Sequence, residues 1–220
     1  MRPSAIASTA ALILTAVPLA ATSSELSVTV TQSGSAKPVA GAVVSIDTPR
    51  KMAPVSAEIY QKDRAFHPHL LVIPIGSRVD FPNRDNTQHH VYSFSPAKTF
   101  NIELYAGRPE APVVFEKPGI VELGCNIHDH MQAFIIVTDT AATGQTNASG
   151  QVTLTLDPQN AEGSQGTLEL QIWHPRLPDN TRPVIREVAA GQPAQVILSL
   201  EPEAATEGSL DRLQQRFREL

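Results

Sequence analysis

Leu26, Val28 and Val30 alternate with polar neighbours, and the same two-residue beat returns along most of the chain. A period of two puts every second side chain on one face, so each run predicts a half-buried strand. Ser33 to Pro38 turns the chain after the first run, and Ala42 to Ile46 returns apolar. Leu70 to Ile75, a turn at Gly76, then Val79 and Phe81 predict strand, turn, strand. His89 to Ser95 predicts another strand, and Phe100, Ile102 and Leu104 alternate behind it. Val113 to Phe115 begins an apolar run, and the turn signal Lys117-Pro118-Gly119 leads into Ile120, Val121 and Leu123. Phe134 to Val137 is the strongest apolar run of the central region. Later strands are expected at Val152 to Leu156, Leu168 to Ile172 and Val196 to Leu200. Thr48 to Val55, with two prolines, predicts a linker, Asn83 to Gln88 a polar loop, and Thr138 to Thr146 a connector.

The resulting fold class is all-β, and 18 prolines and 12 glycines among the runs agree with many turns. One segment breaks the pattern. In the tail 203–220, Leu210, Leu213, Phe217 and Leu220 recur at helical spacing behind Ser209, which predicts a short amphipathic C-terminal helix.

The first 23 residues read as a signal peptide. Arg2 supplies a positive start, Ala5 to Ala20 is uncharged and alanine-rich, and small residues follow to Ser24. The expectation is an exported chain with no membrane span after cleavage, and a bacterial periplasm as its compartment. A net charge of −5 leaves no basic footprint for nucleic acid.

Chemistry gathers in Cys125-Asn126-Ile127-His128-Asp129-His130-Met131, between two expected strands. Cys125 is the only cysteine, so no intramolecular disulfide is available to it. Thiolate, imidazole and thioether on one short loop form a soft ligand set suited to copper. Zinc also takes Cys and His but gains little from a thioether. A trigonal site of two histidines and a cysteine with a weak axial Met needs one more imidazole. His89-His90, at the head of an earlier strand, can supply it. Strand alternation places His90 with Tyr92 and Phe94, which could be the core face, so both histidines stand as alternatives on the residues alone. His67, His69 and His130 are expected at the surface, and His174 at a partly buried edge.

At these residues the chain resembles the cupredoxins, or blue copper proteins. It looks most like amicyanin and the plastocyanin-like domains of proteins labelled methylamine utilization proteins. The Cys-x₂-His-x₂-Met loop has amicyanin's spacing. Phe81-x-Asn83-x₅-His89 matches the pattern leading to the family's first histidine ligand, and Pro118-Gly119 precedes the cysteine strand. The resemblance covers about residues 57–138 and implies a Greek-key sandwich holding one type 1 copper. It implies His89 and His128 as imidazole ligands, Cys125 as thiolate and Met131 as weak axial ligand. The chain departs from the family at His90, where Asn is usual, and at Asp129 and His130, where a proline and an aromatic are common.

The flanks resemble carboxypeptidase-regulatory-like, immunoglobulin-type modules through Lys37 to Val44 and Thr143 to Val152. That implies a second β-sandwich split into 25–52 and 141–202 around a cupredoxin domain at 53–140. The expected function is single-electron transfer between periplasmic redox proteins as donor and acceptor, without enzymatic turnover. The rival readings are a copper protein for delivery or storage, and a metal-free adhesion or scaffold protein.

Overall fold

The structure is a computed structural model, and it describes residues 24–128, 130–156 and 166–203. The expected signal peptide at 1–23 and the expected tail helix lie outside these residues. Seventeen strands and no helix occur among the described residues, so the chain is an all-β protein of stacked sheets. No described helix is long and apolar enough to cross a membrane.

The first two strands, β1 (Ser24–Gln32) and β2 (Val43–Ile46), find no partner near them in sequence. The next eight are β3 (Ser56–Glu58), β4 (Tyr60–Lys62), β5 (Ala65–His67), β6 (Leu70–Pro74), β7 (Ser77–Asp80), β8 (His89–Ser95), β9 (Lys98–Tyr105) and β10 (Val113–Phe115). Then come β11 (Gly119–Gly124), β12 (Gln132–Thr138), β13 (Thr143–Gln145), β14 (Gln151–Leu156), β15 (Thr167–Trp173), β16 (Val184–Ala189) and β17 (Ala194–Leu198).

The central strands pair among themselves. A five-stranded sheet runs β6-β12-β11-β8-β9, a three-stranded sheet runs β10-β7-β3, and β4-β5 is a separate hairpin. Val79 and Phe115 from the smaller sheet, with Phe81 just past its end, meet Val91, Val121, Leu123, Ala133 and Ile135 from the larger one in a single buried core. The outer strands form β14-β1-β17 and β13-β2-β15-β16. Their core joins Leu26, Val28 and Val30 to Ile46, Leu170 and Ile172.

Strand β12 belongs to both cores. Ala133, Ile135 and Val137 point into the central core, while Phe134 is buried with the outer one and Ile136 packs against it. Burial on both faces explains why Phe134 to Val137 is continuously apolar instead of alternating. The Phe134 ring meets Trp173 of β15 edge-on, with centroids 5.1 Å apart.

Several short strands depart from the sequence expectation. Thr143–Gln145 is a strand, although it falls in the expected connector, because it closes the edge of the β2 sheet. Its neighbours are small and polar since Thr138, Thr140 and Thr143 bond to one another. The hairpin β4–β5 and strand β16 are too short or too exposed to carry a clear apolar beat.

Candidate metal centre

Register between β11 and β12 runs to Gly124 opposite Gln132, so residues 125–131 form the link between two paired strands. Both strands are clamped by packing, which holds the loop ends in place. Inside the loop, the Met131 amide donates to the His128 carbonyl at 2.9 Å and folds the chain back on itself. Cys125 and Met131 are buried and belong to the central core, whereas Ile127 is exposed and His128 partly so.

His89 comes from the start of β8, which lies next to β11 in the sheet. The ladder between β8 and β9 shifts register between His89 and Val91. A bulge of this kind breaks strict alternation, and here His89, His90 and Val91 are all buried in succession. Contrary to the alternation argument, the face shared by His90, Tyr92 and Phe94 is the outer one. Their rings follow one another at 5.3 and 5.1 Å, and Phe94 is 79% exposed. His90 opens beside Asn101, Glu103, Leu104 and Asn126.

Ligand atoms of His89, Cys125 and His128 all lie within 4.8 Å of one another. The Cys125 sulfur is 3.9 Å from His128 Nδ1. An ion bonded at about 2.0 Å to nitrogen and 2.3 Å to sulfur spans at most about 4.3 Å between them, so the 3.9 Å pair is within its reach and any ligand atoms farther apart would close in on it. The His89 and His128 rings are 5.1 Å apart, and His130 stands 6.0 Å beyond His128 on the exposed side.

The ring of His89 is fully buried, yet its Nδ1 has no hydrogen-bond partner. Its Nε2 faces Asp85 Oδ2 at 2.7 Å. With the proton on Nε2 donated to that carboxylate, Nδ1 carries a bare lone pair. An unpaired buried acceptor is costly, so it calls for an electrophile at that spot. A soft metal ion beside a thiol and a second imidazole meets that need. Burial pushes the Asp85 carboxyl up, but the Arg64 amide, the His89 ring and the Asp63 amide outweigh it and hold it at about 2. Asp85 is therefore an anion in the folded chain. Burial, with the nearby His89, Arg64 and His130, lowers the pKa of His128 against the opposing pull of Asp85. That ring is accordingly poised neutral, the form that binds metal.

The chain matches no protein-family model and no curated protein. Among solved structures it is similar to the copper-containing nitrite reductase from Thermus scotoductus SA-01, at 22% identity over 44% of this chain and 25% of that one, with a TM-score of 0.37. It is similar to a purple cupredoxin from Nitrosopumilus maritimus, at 23% identity over 37% of this chain and 99% of that one, TM-score 0.33. It is also similar to a reduced amicyanin variant, at 14% identity over 43% of this chain and 98% of that one, TM-score 0.35. The chain thus spans a quarter of the nitrite reductase and nearly all of the two smaller proteins.

Of the residues expected to matter, the structure brings His89, Cys125 and His128 to one point and sets Met131 in the core at the loop's end. His67 stacks on Tyr60, and His69 touches the edge of Phe134. His174 is buried with its Nδ1 accepting the Arg176 amide at 3.1 Å. Asp85 escaped the sequence reading. Its only sequence signal was a carboxylate four residues before a candidate ligand, inside a loop otherwise free of apolar residues.

Proposed function

We propose that the chain is an exported type 1 copper protein that carries single electrons between periplasmic redox partners. The observation that carries this reading is the gathering of ligand atoms from His89, Cys125 and His128 within 4.8 Å of one another, beside a buried His89 whose Nδ1 has no hydrogen-bond partner. On this reading His89, Cys125 and His128 would hold copper, with Met131 as a further, weak ligand. Copper bound there supplies a one-electron couple. The residues around it do the rest. Strands β8, β11 and β12 keep the ligands from moving between oxidation states, which lowers the reorganisation that each electron costs. His128 is partly exposed beside Ile127, which gives the site an edge that a partner can approach. Core residues from both central sheets exclude water from Cys125.

Export rests on residues 1–23 as a signal peptide, and the periplasm on that export. The same reading treats 53–140 as a copper domain and 25–52 with 141–202 as a second, split sandwich. It is a carrier without turnover.

The test is to add Cu(II) to purified protein and record visible and EPR spectra, with Cys125→Ser as control. An intense absorption near the thiolate charge-transfer region that disappears on reduction and is missing in Cys125→Ser supports the reading. A site that binds only Cu(I) and stays colourless points to delivery or storage instead. No copper bound at all sinks both.

A further inference from the structure

Three N–H groups from two parts of the chain end on the carboxylate of Asp85. Its Oδ1 accepts the Asp63 amide at 2.8 Å, and its Oδ2 accepts the Arg64 amide at 3.0 Å and faces His89 Nε2 at 2.7 Å. Asp63 and Arg64 are the two residues that join β4 to β5, and both have positive φ, 55° and 57°. Positive φ at both central positions defines a type I′ turn, for which Asn-Gly is the favoured pair. Asp and Arg carry Cβ atoms and occupy that region at a cost, so something outside the turn must hold it. Asp85 does so by taking both amides.

Asp85 is held in its turn. Asn83 Oδ1 accepts the Asp85 amide at 2.9 Å, while its Nδ2 donates to the Thr87 carbonyl at 2.8 Å and to the Tyr105 carbonyl at 2.9 Å. Tyr105 lies opposite His89 on β9. The loop 83–88 is thereby tied to the strand pair that carries the ring, and the carboxylate has little freedom to leave it.

We propose that Asp85, latched to the Asp63–Arg64 turn, is the positioning residue for His89: it keeps the ring proton on Nε2 and aims the bare Nδ1 at the point shared with Cys125 and His128. Without the carboxylate, the buried ring can carry its proton on Nδ1 or turn over, and either change removes the lone pair from that point. The tautomer part stands on the metal-free chain, and the affinity part rests on the copper reading above.

Two measurements test it. In metal-free wild-type protein, ¹⁵N NMR of the histidine rings should show His89 protonated at Nε2 and bare at Nδ1. The opposite tautomer, or an even mixture, overturns the proposal without any variant. In competition with a chelator, Asp85→Ala should bind copper about 10–100-fold more weakly than wild type. Asp85→Asn, which keeps an acceptor oxygen, should recover part of the loss. The double change Asp63→Asn with Arg64→Gly keeps both amides and should leave affinity and tautomer unaltered. If wild type binds copper and a folded Asp85→Ala, checked by circular dichroism, binds within twofold of it, the positioning role is wrong. If wild type binds none, the copper reading fails while the tautomer result still decides this one.

Discussion

Phe134 and Trp173 meet edge to face, at 5.1 Å and 61°, and so seat strand β12 of the central sheet on the core of the outer ones. Neither ring is exposed: both are buried in the same cluster with Val43, Leu170 and Ile172. The strand that carries Phe134 begins one residue after Met131.

Truncating Phe134 to Ala should therefore weaken the whole molecule. The expected loss is about 3–5 kcal/mol, the range for removing a buried aromatic side chain. Trp173 is the only tryptophan, so its emission reports on this contact directly. A lower denaturant midpoint with a red-shifted native emission is the expected result; an unchanged midpoint would place the two cores apart energetically.

Gly124 and Tyr92 make a second close relationship. They lie opposite each other in the β11–β8 ladder, and a Cβ on Gly124 would come within 2.8 Å of the Tyr92 ring and hydroxyl. The end of the half-exposed Tyr92 side chain must shift to admit it, so Gly124→Ala should cost about 1 kcal/mol, the low end for overpacking. It should also disturb Cys125, the next residue, and shift the copper absorption. Adding Tyr92→Ala removes the clashing ring. In a double-mutant cycle the two changes should cost less together than the sum of their separate costs.

His174 should make stability depend on pH. Burial, with the Arg176 charge adding to it, lowers the ring's pKa from its ordinary 6.5 to about 4. Between those values the unfolded chain binds a proton that the folded chain does not, so acid favours unfolding. Stability should decline as pH falls from 6.5 towards 4 by about 2 kcal/mol, allowing for partial hydration of the ring. His69, also lowered by burial, acts in the same direction. Urea melts across this range should show the slope, and His174→Gln should flatten most of it.

Copper should stabilise the fold by mass action. At free metal about 1,000 times its dissociation constant, the gain is about 4.1 kcal/mol. Thermal melts with and without a chelator should differ accordingly in wild type and coincide in Cys125→Ser. Equal melts in wild type would mean that the ligands do not act together.

Much of this was written in the pattern of residues. The strand beat located most of β1, β6, β8, β11, β12, β14 and β15, since each buries one face or both. Cys125 and His128 were visible because they are neighbours on one loop. His89 against His90 was harder, because the register shift in the β8–β9 ladder buries both and voids the alternation rule. The role of Asp85 was hidden for a different reason: its partners Asp63, Arg64 and His89 come from two segments, and only folding puts them together. Strand β13 looked like a connector because its residues are small, and its edge position needs nothing larger.

The pairing of β1 and β2 sets an order of assembly. Every strand they pair with, namely β14, β17, β13 and β15, starts at Thr143 or later. Strands from Ser56 to Thr138 pair only with one another. As the polypeptide emerges N-terminus first, β1 and β2 must wait, open-edged, until about a hundred further residues have followed. The sheets that cradle Cys125 can zip up during that interval. Long-range pairing of this sort slows closure and leaves bare edges open to wrong partners. The outermost layer is thus the last to lock, and it locks around a centre whose own hydrogen-bond ladders are already complete.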